Sequence, residues 1–325
     1  MNQPEHAAMG RTESVAVEIV CRDGVKLGGH LWPALGRTRC GSVVINPATG
    51  VLASYYHRYA RFLSERGFTC LTYDYRGIGL SRPEKLRGCG YRWRDWGEYD
   101  FDAALRFLRS QAPEGPLMVV GHSIGGFLPG LAENGPLIDR MLTIGAQHAY
   151  WRDYAPGSRL RLFLKWHVAM PAVTALFGYF PGRLLGWLED LPAGVANEWG
   201  LRRARVELSH PAETRAAVLR RFAAVTAPIL AISVTDDDLG TAPAVQRALG
   251  YYGGAKSTAV LLSPGDLGFD RIGHFSLFHA RHAAGFWLDT LLWLRDGTNP
   301  WPDKQFGRLG QSSAKPRVDR CLGVM

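Results

Sequence analysis

Short apolar, β-branched runs alternate with helix-like amphipathic stretches along most of this chain, the pattern of a mostly parallel sheet covered by helices. Val15 to Val20 and Val25 to Trp32, separated by Arg22-Asp23-Gly24, predict an opening hairpin. Ser42 to Asn46 reads as a buried strand, followed by a helix near Ser54 to Arg66 that Gly67 can end. Phe68 to Asp74 and Leu117 to Val120 are further strands with a packed helix from Trp93 to Arg109 between them. A helix from Gly125 to Leu131 and a strand from Arg140 to Ile144 continue the series.

The rhythm breaks between Gln147 and Arg215, where aromatic residues, prolines and glycines crowd together over a length too great for an ordinary connection. It resumes with Pro228 to Val234, Ala242 to Leu249, Thr258 to Leu262 and a final helix near Arg281 to Leu294. The expected organisation is a core of residues 1–146 and 216–295, an inserted helical lid of 147–215 and a polar tail of 296–325. There is no internal repeat or low-complexity block.

Bulk properties narrow this picture. A chain of 325 residues, 46% hydrophobic and 21% charged, can bury a full core and is unlike a disordered sequence. The net charge of +9 is spread along the chain in short groups such as Arg202-Arg203-Ala204-Arg205, without a basic tract or nucleic-acid motif, so a solvated basic surface is expected and no nucleic-acid partner. Five cysteines without a Cys-x-x-Cys pair indicate neither a disulfide framework nor a zinc site, and no cofactor is called for. Met1 to Ser14 lacks the apolar run of a signal peptide, and Cys321 stands one residue too far from the C-terminus for a prenylation box, which fits a cytoplasmic protein. The longest apolar stretch, Trp166 to Gly182, is interrupted by His167, Pro171, Gly178 and Pro181. It is shorter than the ~20 apolar residues of a spanning helix, and a cleft-covering segment without stable membrane insertion is expected.

The chemistry concentrates in Gly121-His122-Ser123-Ile124-Gly125, directly after an apolar strand. Gly-x-Ser-x-Gly in that position is a nucleophile elbow: glycines let strand, turn and helix approach closely while the serine takes a strained conformation that exposes its hydroxyl. A serine alcohol is a poor nucleophile until a histidine takes its proton and a carboxylate orients that histidine. Asp236, Asp237 and Asp238 follow the strand Pro228 to Val234, with Asp237 foremost and Asp236 next, because Asp238 leads into the Leu239-Gly240-Thr241 turn. His274 lies in the loop after the last predicted strand, whereas His279 and His282 fall in or beside the final helix. The oxyanion needs the N–H of Ile124 and a second one from Asn46-Pro47-Ala48-Thr49-Gly50. Pro47 has none, which leaves Ala48 in the lead and Thr49 in reserve. Asp74 to Ser81 is glycine-punctuated but lacks dinucleotide-loop spacing and is assigned a structural role.

At these residues the sequence resembles the α/β-hydrolase superfamily, and more closely bacterial predicted serine hydrolases of unassigned substrate. The shared pieces are Asn46-Pro47-Ala48-Thr49-Gly50, Tyr73-Asp74-Tyr75-Arg76-Gly77-Ile78-Gly79, Gly121 to Gly126, Gly178-Tyr179-Phe180-Pro181-Gly182, Leu191 to Val195 and Gly273-His274. The resemblance implies an α/β-hydrolase fold, a triad of Ser123, Asp237 and His274, and oxyanion donors Ala48 and Ile124. Many relatives carry His-Gly where this chain has Asn46-Pro47. The expected activity is cleavage of an ester or related acyl substrate, partly apolar, through an acyl-enzyme. The alternatives are an acyltransferase on the same triad, a non-catalytic protein that keeps the fold, and a membrane-associated protein using Trp166 to Gly182, whose lipid binding would survive Ser123→Ala.

Overall fold

The computed structural model describes residues 14–36 and 38–307. The N-terminal segment before Ser14, Cys321 and the expected tail from 308 onward lie outside the described residues. Eight strands form the main sheet: β1 (Val15–Val20), β2 (Lys26–Trp32), β3 (Gly41–Asn46), β4 (Phe68–Tyr73), β5 (Leu117–His122), β6 (Arg140–Ile144), β9 (Ile229–Val234) and β10 (Ser257–Leu262). The short strands β7 (Tyr179–Phe180) and β8 (Leu191–Pro192) pair apart from it. The sheet order is β1-β2-β4-β3-β5-β6-β9-β10, with β1, β2 and β4 joined antiparallel and every later neighbour parallel.

Parallel strands buried on both faces carry continuous apolar runs rather than alternation, and the side chains of those runs go alternately to two cores. Val44, Val119 and Ala231 face one core with Leu105 and Leu108 of α2 (Asp102–Gln111). Val43, Val120 and Ile232 face the other with Tyr59 and Leu63 of α1 (His57–Ser64). The expected sheet with helices on both faces is thus the observed architecture.

Between β6 and β9 the chain leaves the sheet, and its main feature there is α3 (Arg159–Phe177), a single 19-residue helix. Of the four interruptions expected in Trp166 to Gly182, His167 and Pro171 lie inside this helix. The helix passes through a π-helical stretch at Leu164–Ala169, and Pro171 falls in the first turn of the α-helical part that follows, where a missing N–H is tolerated. By length and composition α3 is long and apolar enough to cross a membrane, which corrects the expectation of a shorter span; only 22% of its apolar window is buried. A second correction concerns the C-terminal helix. Residues Ala280–His282 form a 3-10 turn, and the α-helix begins only at Phe286, after Gly285 in a non-helical conformation.

The loop after β4 is braced by charge, as its structural assignment requires. Arg76, buried, gives Nε to Asp100 Oδ1 at 2.6 Å and Nη1 to Asp23 Oδ2 at 2.6 Å, tying the hairpin and the helix region to the sheet. Burial alone would lower the Arg76 guanidinium, but these two carboxylates more than reverse that and keep it charged. Removing one partner of a buried pair leaves the other uncompensated. Arg76→Leu should therefore destabilise the fold by about 3–5 kcal/mol, read from the urea midpoint; a loss below about 1 kcal/mol, the size of an exposed pair, would refute this role.

Candidate active site

Strand β5 ends at His122, and the next residue, Ser123, has φ +55°, left-handed backbone that few non-glycine residues adopt. Two glycines make the bend possible. A Cβ at Gly121 would lie 2.4 Å from Gly126 Cα, and one at Gly125 would lie 2.3 Å from the carbonyl oxygen of Asn46. Asn46 locks the contact by donating Nδ2–H to the Gly125 carbonyl at 3.1 Å while its own oxygen accepts from Tyr73 Oη at 2.9 Å. The expected helix from Gly125 to Leu131 is replaced by two 3-10 turns, Ser123–Gly126 and Leu128–Leu131. Pro129 has no N–H to return to the Gly125 carbonyl, so an α-helix cannot continue through it. The anion-attracting feature here is therefore the short turn's own N–H groups, Ile124's among them, rather than a long helix dipole.

The three aspartates after β9 divide sharply. Asp237, buried, accepts from the Leu239 and Gly240 N–H at 2.8 and 2.7 Å through Oδ1, and its Oδ2 lies 2.7 Å from His274 Nδ1. Burial alone would raise its carboxyl, but His274 and those two N–H donors outweigh burial and hold it below the usual carboxylate range. Asp236 takes the Ile272 and Gly273 N–H at 2.8 and 3.0 Å, clamping the loop that carries His274. Asp238 accepts from Ser158 Oγ at 2.8 Å and Arg161 Nη2 at 3.3 Å, fastening the start of the inserted segment. Ser123 and His274 line the same cavity. The hydrogen bond made by the Ser123 hydroxyl oxygen is the one it accepts from Gln147 Nε2 at 3.2 Å, not one with the imidazole.

A buried chain joins the two loops on either side of Ser123. The carbonyl of His274 can only accept, so His122 Nε2, 2.8 Å away, carries the ring's proton. Its Nδ1 must then accept from Tyr56 Oη at 2.7 Å, and the phenol oxygen accepts from the Ala48 N–H at 2.9 Å. Burial, and then the neighbouring His274, pushes His122 down to about 3, which keeps it neutral as this chain of bonds requires. The Ala48 N–H expected at the oxyanion is thus already spent on a fully buried tyrosine. Among the described residues the Thr49 N–H has no acceptor, and the Thr49 hydroxyl takes Trp93 Nε1–H at 3.1 Å.

The cavity measures about 730 Å3; Trp93, Trp166, Trp187, Trp199, Leu162 and Leu188 are among its lining residues, with Glu189, Asp236, Asp238 and Arg271 supplying charge. Lys165 of α3 also lines it, with Nζ 4.5 and 4.4 Å from the ring centroids of Trp166 and Trp187. Among the described residues no group of three or more His, Cys, Asp and Glu side chains is arranged to hold a metal ion. Sequence reasoning missed Gln147, Tyr56 and the role of His122. Only the position of His122 beside the serine was a signal; the other two come near the site through the topology of the sheet.

A sequence model of the family described as Hydrolase_4, serine aminopeptidase S33, matches residues 38–262. The monoglyceride lipase of Saccharomyces cerevisiae is 27% identical over 106 residues, 32% of this chain and 34% of that protein, so the match spans about a third of the curated relative's length. A soluble variant of that yeast lipase, solved with a substrate analog, superposes with a TM-score of 0.63 at 16% identity over 88% of this chain and 96% of the other. The Pyrococcus furiosus esterase Pf2001 superposes with a TM-score of 0.56 at 18% identity, covering 87% and 91%. At such identities the likeness is one of fold, and it agrees with the sheet order and the helices on both faces. The extent of the family match, on top of that fold, makes this chain a member of the serine aminopeptidase S33 family of α/β hydrolases.

Proposed function

We propose that this protein hydrolyses carboxylic esters with Ser123 as nucleophile, His274 as general base and Asp237 as the orienting acid. The observation that carries the reading is the 2.7 Å contact between Asp237 Oδ2 and His274 Nδ1, with a strained serine opening onto the same cavity as the imidazole. With Nδ1–H donated to Asp237, the free Nε2 of His274 is the basic nitrogen. Entry of substrate exchanges the Gln147 bond of Ser123 for one to that nitrogen, since such contacts tighten on binding. The serine oxygen then attacks the ester carbonyl, its proton passes to His274 Nε2, and the imidazolium returns it to the departing alcohol. Water, deprotonated by the same nitrogen, cleaves the acyl-enzyme and frees the carboxylic acid.

The tetrahedral oxyanion is assigned to the N–H of Ile124 and, because Ala48 is engaged by Tyr56, to the N–H of Thr49. The inserted segment acts as a lid, since Leu162, Trp166 and Trp187 close one side of the cavity, and their apolar surface favours an aliphatic or aromatic acyl group. The yeast lipase and the archaeal esterase carry ester-hydrolase names, and their likeness supports the reaction class.

Ser123→Ala should lose turnover of an activated ester by roughly 10⁴-fold or more and lose labelling by a phosphonate probe, with an unchanged urea midpoint; retained turnover would reject the assignment. Asp237→Asn should cost about 10⁴-fold in kcat, while Asp236→Asn, which touches backbone donors only, costs about tenfold; the reverse order in steady-state kinetics would move the acid to Asp236. Tyr56→Phe leaves His122 Nδ1 and the Ala48 N–H without their partner and should lower kcat about tenfold at unchanged KM. A rise in KM alone would show that the buried chain shapes binding instead.

A further inference from the structure

Among the described residues, the outer side of α3 is left largely uncovered. Leu162, Trp166, Met170 and Thr174, at four-residue spacing, are buried, as a helix packed on its own protein requires. The opposite side repeats the pattern: Leu160 is 69% exposed, Leu164 50%, Val168 48% and Leu176 78%. Leu184, in the turn after β7, adds a further apolar side chain 75% exposed. Exposed leucines gathered on one helix mark a surface made to be covered.

The charges identify what covers it. From Tyr154 to Leu188 there is no Asp or Glu, while Arg159, Arg161, Lys165 and Arg183 all lie in that stretch. A second copy docking through this face about a two-fold axis would set these cations against their own images. Insertion across a bilayer would need the inner face withdrawn from the core, where Trp166 and Met170 are buried, and would carry Lys165 into hydrocarbon. Asp238 neutralises Arg161 at the start of the helix, and an apolar stripe whose remaining flanking charges, Arg159, Lys165 and Arg183, are all cations matches a helix lying in the plane of an anionic membrane surface.

We propose that α3 and the Leu184 turn dock this protein peripherally on anionic lipid bilayers. The docked face belongs to the segment that walls the cavity with Leu162, Lys165 and Trp166, so acyl substrates dissolved in the membrane would meet the site at its lid. The binding does not depend on the serine chemistry.

The test is sedimentation of the full-length Ser123→Ala protein with vesicles of phosphatidylcholine alone and of phosphatidylcholine mixed with phosphatidylglycerol. Binding is expected only to the mixed vesicles and should weaken as salt is raised. Leu160→Asp combined with Leu176→Asp should weaken it by about tenfold or more, and Arg183→Glu by about fivefold or more. Both variants should hydrolyse a short water-soluble ester as the parent enzyme does. Absence of binding, equal binding to both vesicles, or light scattering showing a dimer abolished by the leucine substitutions would each overturn the proposal. Binding by an enzyme inactive on every ester would overturn the reaction class and leave this proposal standing.

Discussion

One backbone constraint governs the site: Ser123 is held at positive φ by the contact of three backbone segments, the end of β3, the end of β5 and the turn that follows it. A non-glycine residue in that conformation costs on the order of 1–3 kcal/mol and persists only where its surroundings over-determine it. Here they do. Gly121 and Gly125 allow no side chain, Asn46 ties the turn to the neighbouring strand, and both faces of the sheet beneath are covered by packed side chains. The strained serine is thus maintained by the stability of the whole sheet.

Around that point the loops are held by a division of labour. Asp236 fixes the backbone of the His274 loop, Asp237 meets its imidazole, and Asp238 secures the beginning of the inserted segment. Behind the serine, His122 and Tyr56 join the carbonyl of His274 to the N–H of Ala48, so the two loops flanking Ser123 share one buried chain of hydrogen bonds. The roles along that chain are mutually consistent: His122 donates through Nε2 and accepts through Nδ1, and the Tyr56 hydroxyl donates to His122 while accepting from Ala48. A buried network satisfied throughout favours one loop arrangement, because any alternative leaves a polar group unpaired in low dielectric.

Most of the sheet was legible because strands buried on both faces appear as unbroken apolar runs, as in Val43-Val44-Ile45 and Leu117 to Val120, and the elbow because its glycines follow such a run. Helices were less legible where one residue overrides local pattern. Pro129 turns the stretch after Ser123 into 3-10 geometry, whereas Pro171 leaves α3 intact because a π-helical stretch precedes it. Three consecutive aspartates are alike in sequence and differ only in what each side chain reaches. Ala48 is a similar case: in sequence a free N–H looks the same as one that meets a tyrosine eight residues on.

The proposed mechanism requires Ser123 to carry the acyl group between two half-reactions. Rapid acid quench during turnover of a slowly deacylated ester, followed by mass spectrometry of the tryptic peptide 110–140, tests this directly. The predicted result is one added acyl group, localised by fragmentation to Ser123 rather than Ser110. Accumulation of the acyl group on any other residue would contradict it.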